Sequence, residues 1–271
     1  MDTLQSLRIE GQGAVAELVL LGPGRGNAMG PDFWRELPQA VAQIEADDAV
    51  RAIIVRGSGE HFSYGLDLPA MAAQLQPILG NGAAGRAAII TLARQMHSGF
   101  AALAASRLPV IAAIDGWCIG AGIEMAAACD IRIASASAHF ALREVNVGIV
   151  ADLGGLTRLP HLIGEAWTRQ LALTGDEIDA ATAARIGLVT QMFADSTALL
   201  NAARVLAARI AANPPLVVAG IKQVMNARIA ADVADGNREA ATLNGMLMQS
   251  EDFAEAMRAF IEKRTPAFKG R

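Results

Sequence analysis

The chain has 271 residues, with 23 Lys and Arg against 27 Asp and Glu for a net charge of −4, and 53% of its residues are hydrophobic. That length can bury a sizeable core, as one large domain or as one domain with a helical appendage. The acidic balance argues against nucleic acid as the main partner, and apolar stretches such as residues 18–21 and 110–114 are far too short to cross a bilayer, so no membrane partner is expected.

The first 13 residues, MDTLQSLRIEGQG, lack the basic region and apolar block of a secretory signal, which sets a cytoplasmic expectation. Residues 14–21 (AVAELVLL) read as a strand and GPGRGN after them as a turn. A helix is predicted over 31–46, with Phe33, Leu37, Val41 and Ile44 at helical spacing and Pro38 weakening its middle. The β-branched run 51–56 (RAIIVR) reads as a buried strand, and 61–68 (HFSYGLDL) as a strand ending in a glycine turn. A glycine- and alanine-rich tract over 79–85 precedes a long amphipathic helix, 86–106, with Ile90, Leu92, Phe100 and Leu103 inward; Pro109 stops it. A buried strand (110–114), a small-residue helix (120–129) and two extended pieces (131–133, 138–140) follow. Alternation of strand and helix through about the first 190 residues indicates an α/β architecture with right-handed crossovers. From residue 197 onward four helical stretches run without a strand, so the chain divides into a core over 1–196 and a helical region over 197–271. The Leu- and Met-rich faces there (Leu243, Met246, Met248, Met257) are expected to pack on the core, or else on another subunit.

Cys118 and Cys129 lie on an apolar turn and helix and read as inert core members. The histidines are scattered singly, and no metal site is expected. Two glycine turns carry more chemistry: Tyr64-Gly65-Leu66-Asp67 and Gly120-Ala121-Gly122 can each aim backbone N–H groups at an anion, although glycines also merely permit tight turns. A dinucleotide fingerprint is disfavoured, because Met125 stands where its third small residue belongs. Three carboxylates, Glu124, Glu144 and Asp152, sit in apolar surroundings, where an unpaired charge costs several kcal/mol. Proton transfer beside a thioester carbonyl would use such acids, dividing donor and acceptor roles between them. The plainer alternatives are that Glu144 pairs with Arg143 or Arg158 and that Asp152 caps the following turn.

SYGLDL, PVIAAIDGWCIGAGIEMAAACDIRIAS, FALREVNVGIVADLGGLTRLPHLIG, LTGDEIDAATAARIGLV and FIEKRTPAF together resemble the crotonase (enoyl-CoA hydratase/isomerase) superfamily over nearly the whole chain. The resemblance implies a β-β-α spiral core with a C-terminal helical trimerisation region, assembled as homotrimers or dimers of trimers. It also implies an acyl-coenzyme A thioester substrate and no permanently bound cofactor. The thioester oxygen would be held by the backbone N–H groups of Leu66 and Ala121; the family more often has glycine at the second position. Tyr64, Gly65, Asp67 and Gly120 shape these turns. LLGPGRGNAM departs from the family's usual lead, so the coenzyme contacts around Arg25 are less defined, while Phe260 and Lys263 match final-helix residues that can reach a neighbouring subunit's coenzyme.

Glu124 and Glu144 match the water-holding glutamates of enoyl-CoA hydratases. Asp152 falls where hydratases usually carry glycine, and REVNVGIVADLGGLTRLP is most similar to the dienoyl-CoA isomerase branch, whose third acid is usually aspartate where this chain has Glu124. The resemblance therefore implies isomerisation of a 3,5-dienoyl-CoA to a 2,4-dienoyl-CoA, with 2-enoyl-CoA hydration as the alternative. A noncatalytic acyl-CoA or partner-binding protein is the reading from another class.

Overall fold

The computed structural model describes residues 4–22 and 26–271. Strands β1 (Leu7–Gln12) and β2 (Val15–Leu20) form an antiparallel hairpin. Parallel pairing then adds β3 (Ala52–Gly57), β4 (Val110–Ile114), β6 (Ile131–Ser135) and β9 (Gln191–Phe193), giving the order β1-β2-β3-β4-β6-β9. A second, three-stranded sheet is made from short strands: β5 (Trp117–Ile119) and β7 (His139–Ala141), which follow β4 and β6, and β8 (Glu177–Asp179), which precedes β9. The stretches β4–β5, β6–β7 and β8–β9 thus each place one strand in each sheet. Both faces of the larger sheet are buried. Ile53 and Val55 face the main core while Ala52 and Ile54 face a second one, the period-two alternation that explains the continuous apolar run.

Helix α1 (Pro31–Glu45) starts with proline in its first turn and buries Phe33, Trp34, Leu37, Val41 and Ile44. Pro38 is accommodated within it. Helix α2 (Leu68–Leu75) is capped by Asp67, whose carboxylate accepts the Ala70 N–H at 3.1 Å. The expected strand over 61–68 is instead irregular chain held by two isolated bridges, Met29 to Leu66 and Ser63 to Cys118. Helix α3 (Gly82–Ala105) begins inside the glycine- and alanine-rich tract, four residues earlier than expected; it buries Phe100 and Leu103, and Ile90 and Leu92 are half-buried.

After α4 (Ala121–Ala128) and a 3₁₀ turn at Glu144–Val147 comes α5 (Gly155–Thr174), which is broken at Gly164 (φ 76°). Short α6 (Ala180–Arg185) leads to α7 (Ser196–Ala211), whose Leu199, Ala203 and Ala207 cover the second face of the larger sheet. This helix, grouped by sequence with the C-terminal region, packs directly on the core. The chain ends in α8 (Pro215–Ala227), α9 (Ala230–Leu247) and α10 (Glu251–Glu262). Met248 is buried and Met257 packs beside it, whereas Met246 is exposed. No single described helix is long and apolar enough to span a membrane.

Candidate active site

Two backbone segments meet where β5 ends. Met29 N–H donates to Gly65 O (2.7 Å) and Asp67 N–H to Met29 O (3.0 Å), which pins residues 65 and 67 and turns the Leu66 N–H between them away from that bridge. Ser63 binds β5 through Ser63 N–H to Trp117 O (3.0 Å) and Ile119 N–H to Ser63 O (2.9 Å). The bend depends on Gly65 (φ 80°): a β-carbon there would lie 2.6 Å from Ile119 O and 3.0 Å from Ala121 N. Ala121 opens α4, so its N–H is one of the four that a helix leaves without an internal acceptor. The Leu66 and Ala121 N–H groups therefore lie close together with no protein acceptor among the described residues, as an oxyanion site requires.

A cavity of about 920 Å³ opens in front of them, lined by Tyr64, Leu66, Asp67, Gly120, Ala121 and Glu144 among others. Residues Ala256, Ala259, Phe260 and Arg264, from α10 and just beyond it, close one side, so the last helix covers the cavity of its own chain. Lys263 ends α10 in a left-handed conformation (φ 53°) and is not part of this lining; Arg264 is. Arg25 lies outside the described residues.

The three carboxylates are brought together, with exposures of 1% for Glu124, 9% for Glu144 and 8% for Asp152. Glu144 enters from the 3₁₀ turn and faces Gly120, where an added β-carbon would sit 2.9 Å from its Oε1; its Oε2 is buried without a partner among the described residues. Burial pushes its carboxyl up to about 7, and repulsion from Asp152 adds to the rise against hydrogen bonding from its own backbone. The expected arginine pairs do not form. Arg143 instead bonds Glu177 at 3.1 Å, and Arg158 lies against Gly154.

Asp152 lines a smaller cavity of about 50 Å³ behind Leu66, walled by apolar residues of α2 and α3 and by Met248 and Met257. Leu66, Leu68 and Ile149 border both cavities. Burial raises the Asp152 carboxyl, opposed by a hydrogen bond from Asn244 and by the nearby His97. Asn244 is itself fully engaged: Val150 N–H donates to its Oδ1 (2.9 Å) and its Nδ2 donates to Val150 O (2.8 Å). Sequence reasoning missed both partners, since they come from α9 and α3 and carry no local signal.

The turn after Asp152 is capped by Glu124 rather than by Asp152. Glu124 Oε1 accepts N–H groups from Leu153 (3.0 Å) and Gly155 (2.8 Å). Burial, then repulsion from Glu144 and Asp152, hold its carboxyl well above the ordinary carboxylate range, against those two bonds.

The site can thus polarise a carbonyl and exchange protons with carbons beyond it. Residues 10–271 match the family model described as enoyl-CoA hydratase/isomerase. The chain is 37% identical to the mitochondrial Delta(3,5)-Delta(2,4)-dienoyl-CoA isomerase of Dictyostelium discoideum, over 94% of this chain and 87% of that one. It is 36% identical to the short-chain-enoyl-CoA hydratase of Clostridium acetobutylicum, over 99% of each. The crystal structure of an enoyl-CoA hydratase from Mycobacterium avium superposes with a TM-score of 0.82 at 30% identity, covering 98% of this chain and 99% of that one.

Proposed function

The chain belongs to the enoyl-CoA hydratase/isomerase family, and on that premise we propose that it is a dienoyl-CoA isomerase of fatty-acid metabolism, moving the double bonds of a 3,5-dienoyl-CoA to the 2,4 positions. The observation that carries this reading is Asp152: a buried carboxyl at the edge of an apolar cavity that adjoins, at Leu66, the larger one that Glu144 lines. The thioester oxygen accepts the Leu66 and Ala121 N–H groups, which stabilises the charge that develops there. Glu144, beside Gly120, takes a proton from C2; the electron pair delocalises over the diene as a dienolate. Asp152 then delivers a proton to C6, which leaves the 2,4-diene and conserves mass. A carboxyl raised to about 7 is suited to the first step, since a base needs a pKa near the working pH.

Tyr64, Asp67, Gly120 and Phe260 line the cavity and Gly65 sets the turn beside it, while Arg264 and Arg143, in the same lining, bring cationic groups suited to the coenzyme's phosphates. Arg25 and Lys263 are assigned to coenzyme binding by resemblance alone. Assembly as a homotrimer or a dimer of trimers is supported by α8. Lys222 and Asn226 tie one face to the end of α3, while Leu216, Val217, Ile221, Val224 and Met225 are 57–87% exposed on it.

Asp152→Asn tests the assignment: turnover of 3,5-dienoyl-CoA is expected to fall by about a hundredfold or more, and an undiminished rate would refute it. A second reading, hydration of a 2-enoyl-CoA, is favoured by the retained pair Glu124 and Glu144. It requires a gain of one water with loss of the enoyl absorbance, which the isomerase reading excludes.

A further inference from the structure

Glu124 occupies the place of a proton carrier, but its bonds are those of a backbone clamp. One oxygen, Oε1, receives both the Leu153 and Gly155 N–H groups, so it grips the residue after Asp152 and the first residue of α5. The fit on that side is closed: a β-carbon at Gly155 would lie 2.9 Å from both Oε1 and Cγ of Glu124. Glu144 lines the larger cavity and Asp152 the smaller, whereas Glu124 lines neither. We propose that Glu124 is a positioning residue, fixing the 152–155 turn and hence the aim of the Asp152 carboxyl, and that it transfers no proton in the cycle. This deepens the isomerase reading and rests on it.

The chemistry asked of the side chain is only that of an acceptor. A neutral carboxyl presents its carbonyl oxygen to two N–H donors just as a primary amide does. Burial and the two neighbouring carboxyls drive Glu124 toward that neutral form. An acceptor committed to the turn also withdraws one of the two glutamates that hydration would need to hold water. The choice between isomerisation and hydration then depends on what the residue at 124 is bonded to, as well as on the acid at 152.

The test compares Glu124→Ala, Glu124→Gln and Glu124→Asp by dienoyl-CoA turnover and by amide hydrogen exchange at Leu153 and Gly155. Alanine is expected to lower kcat by about a hundredfold with KM changed by less than about threefold, and to speed exchange at both amides. Glutamine offers an amide oxygen in the same place; it should bring kcat back to within about tenfold of the parent and keep both amides protected. Aspartate, one methylene short, should behave like alanine, and the glutamine–aspartate contrast decides the matter if alanine does not fold. A glutamine variant as inactive as alanine with its amides still protected would give Glu124 a proton-transfer role and overturn the proposal. Exchange at Leu153 and Gly155 equally slow in all four proteins would overturn it too. Failure of the parent protein to turn over the diene would instead defeat the isomerase reading, and the exchange comparison would still decide whether the clamp exists.

Discussion

Replacing Glu144 by Gln should make the protein inactive and, above neutral pH, more stable. The carboxyl is held at about 7 in the folded chain against 4.5 for the free group, chiefly by burial. Because the folded pKa is the higher one, the native state binds more protons than the unfolded state between those values, and stability declines as pH rises through that window. A shift of about 2.5 units is worth about 3 kcal/mol. Parent and Glu144→Gln should therefore differ by roughly 1 kcal/mol at pH 5 and by about 3 kcal/mol at pH 8, with the variant the more stable at pH 8. Urea denaturation at fixed protein concentration across that range reads the difference. The same linkage places the acid limb of the parent's pH–rate profile near 7, because the base must be ionised to accept a proton. A stability gap that does not change with pH would show that Glu144 is not held protonated by its surroundings, and the argument for a tuned base would fall with it.

Gly65→Ala meets both a positive φ and a contact of 2.6 Å with Ile119 O, so the Leu66 N–H should be displaced; kcat is expected to fall by about a hundredfold, checked by steady-state kinetics on the thioester. Asn244→Leu removes the side chain that bonds Val150 and Asp152; Asp152 should hold its proton to higher pH, moving the alkaline limb of the pH–rate profile upward, and stability should drop by about 2 kcal/mol. Lys222→Met strands Asp130, its partner at 2.7 Å, and the Leu103 and Leu108 carbonyls; a loss of about 3–5 kcal/mol is expected in denaturation, with weakened subunit association in sedimentation.

The sequence makes the three acids legible because each interrupts an apolar run, and an isolated charge there calls for a chemical reason. It makes β2, β3 and β4 legible because apolar, often β-branched residues dominate them, with Glu17 and Arg56 the only charges. Helix α5 was hidden by its own breakers: Gly154 and Gly155 at its start, Pro160 within it and Gly164 at the bend disguise two helical pieces as a loop. Strand β1 was hidden by its position at the sheet edge, where Arg8 and Glu10 face solvent and blur the apolar pattern. At the end of the chain the stop of α10 decides which cation reaches the cavity. Ala256, Ala259 and Phe260 line it at helical spacing, which would carry Lys263 onto the same face; α10 instead ends at Glu262, Lys263 turns left-handed and Arg264 joins the lining, a break that the spacing does not show. Nothing local could have joined His97 and Asn244 to Asp152, because only the packing of α3 and α9 brings them there.

Incubating the purified protein with a 3,5-dienoyl-CoA while following mass and ultraviolet absorbance together tests the central claim most directly. An unchanged mass and the appearance of the 2,4-dienoyl absorbance are expected. A product heavier by one water, or an unaltered diene in the presence of a protein that hydrates 2-enoyl-CoA, would contradict it.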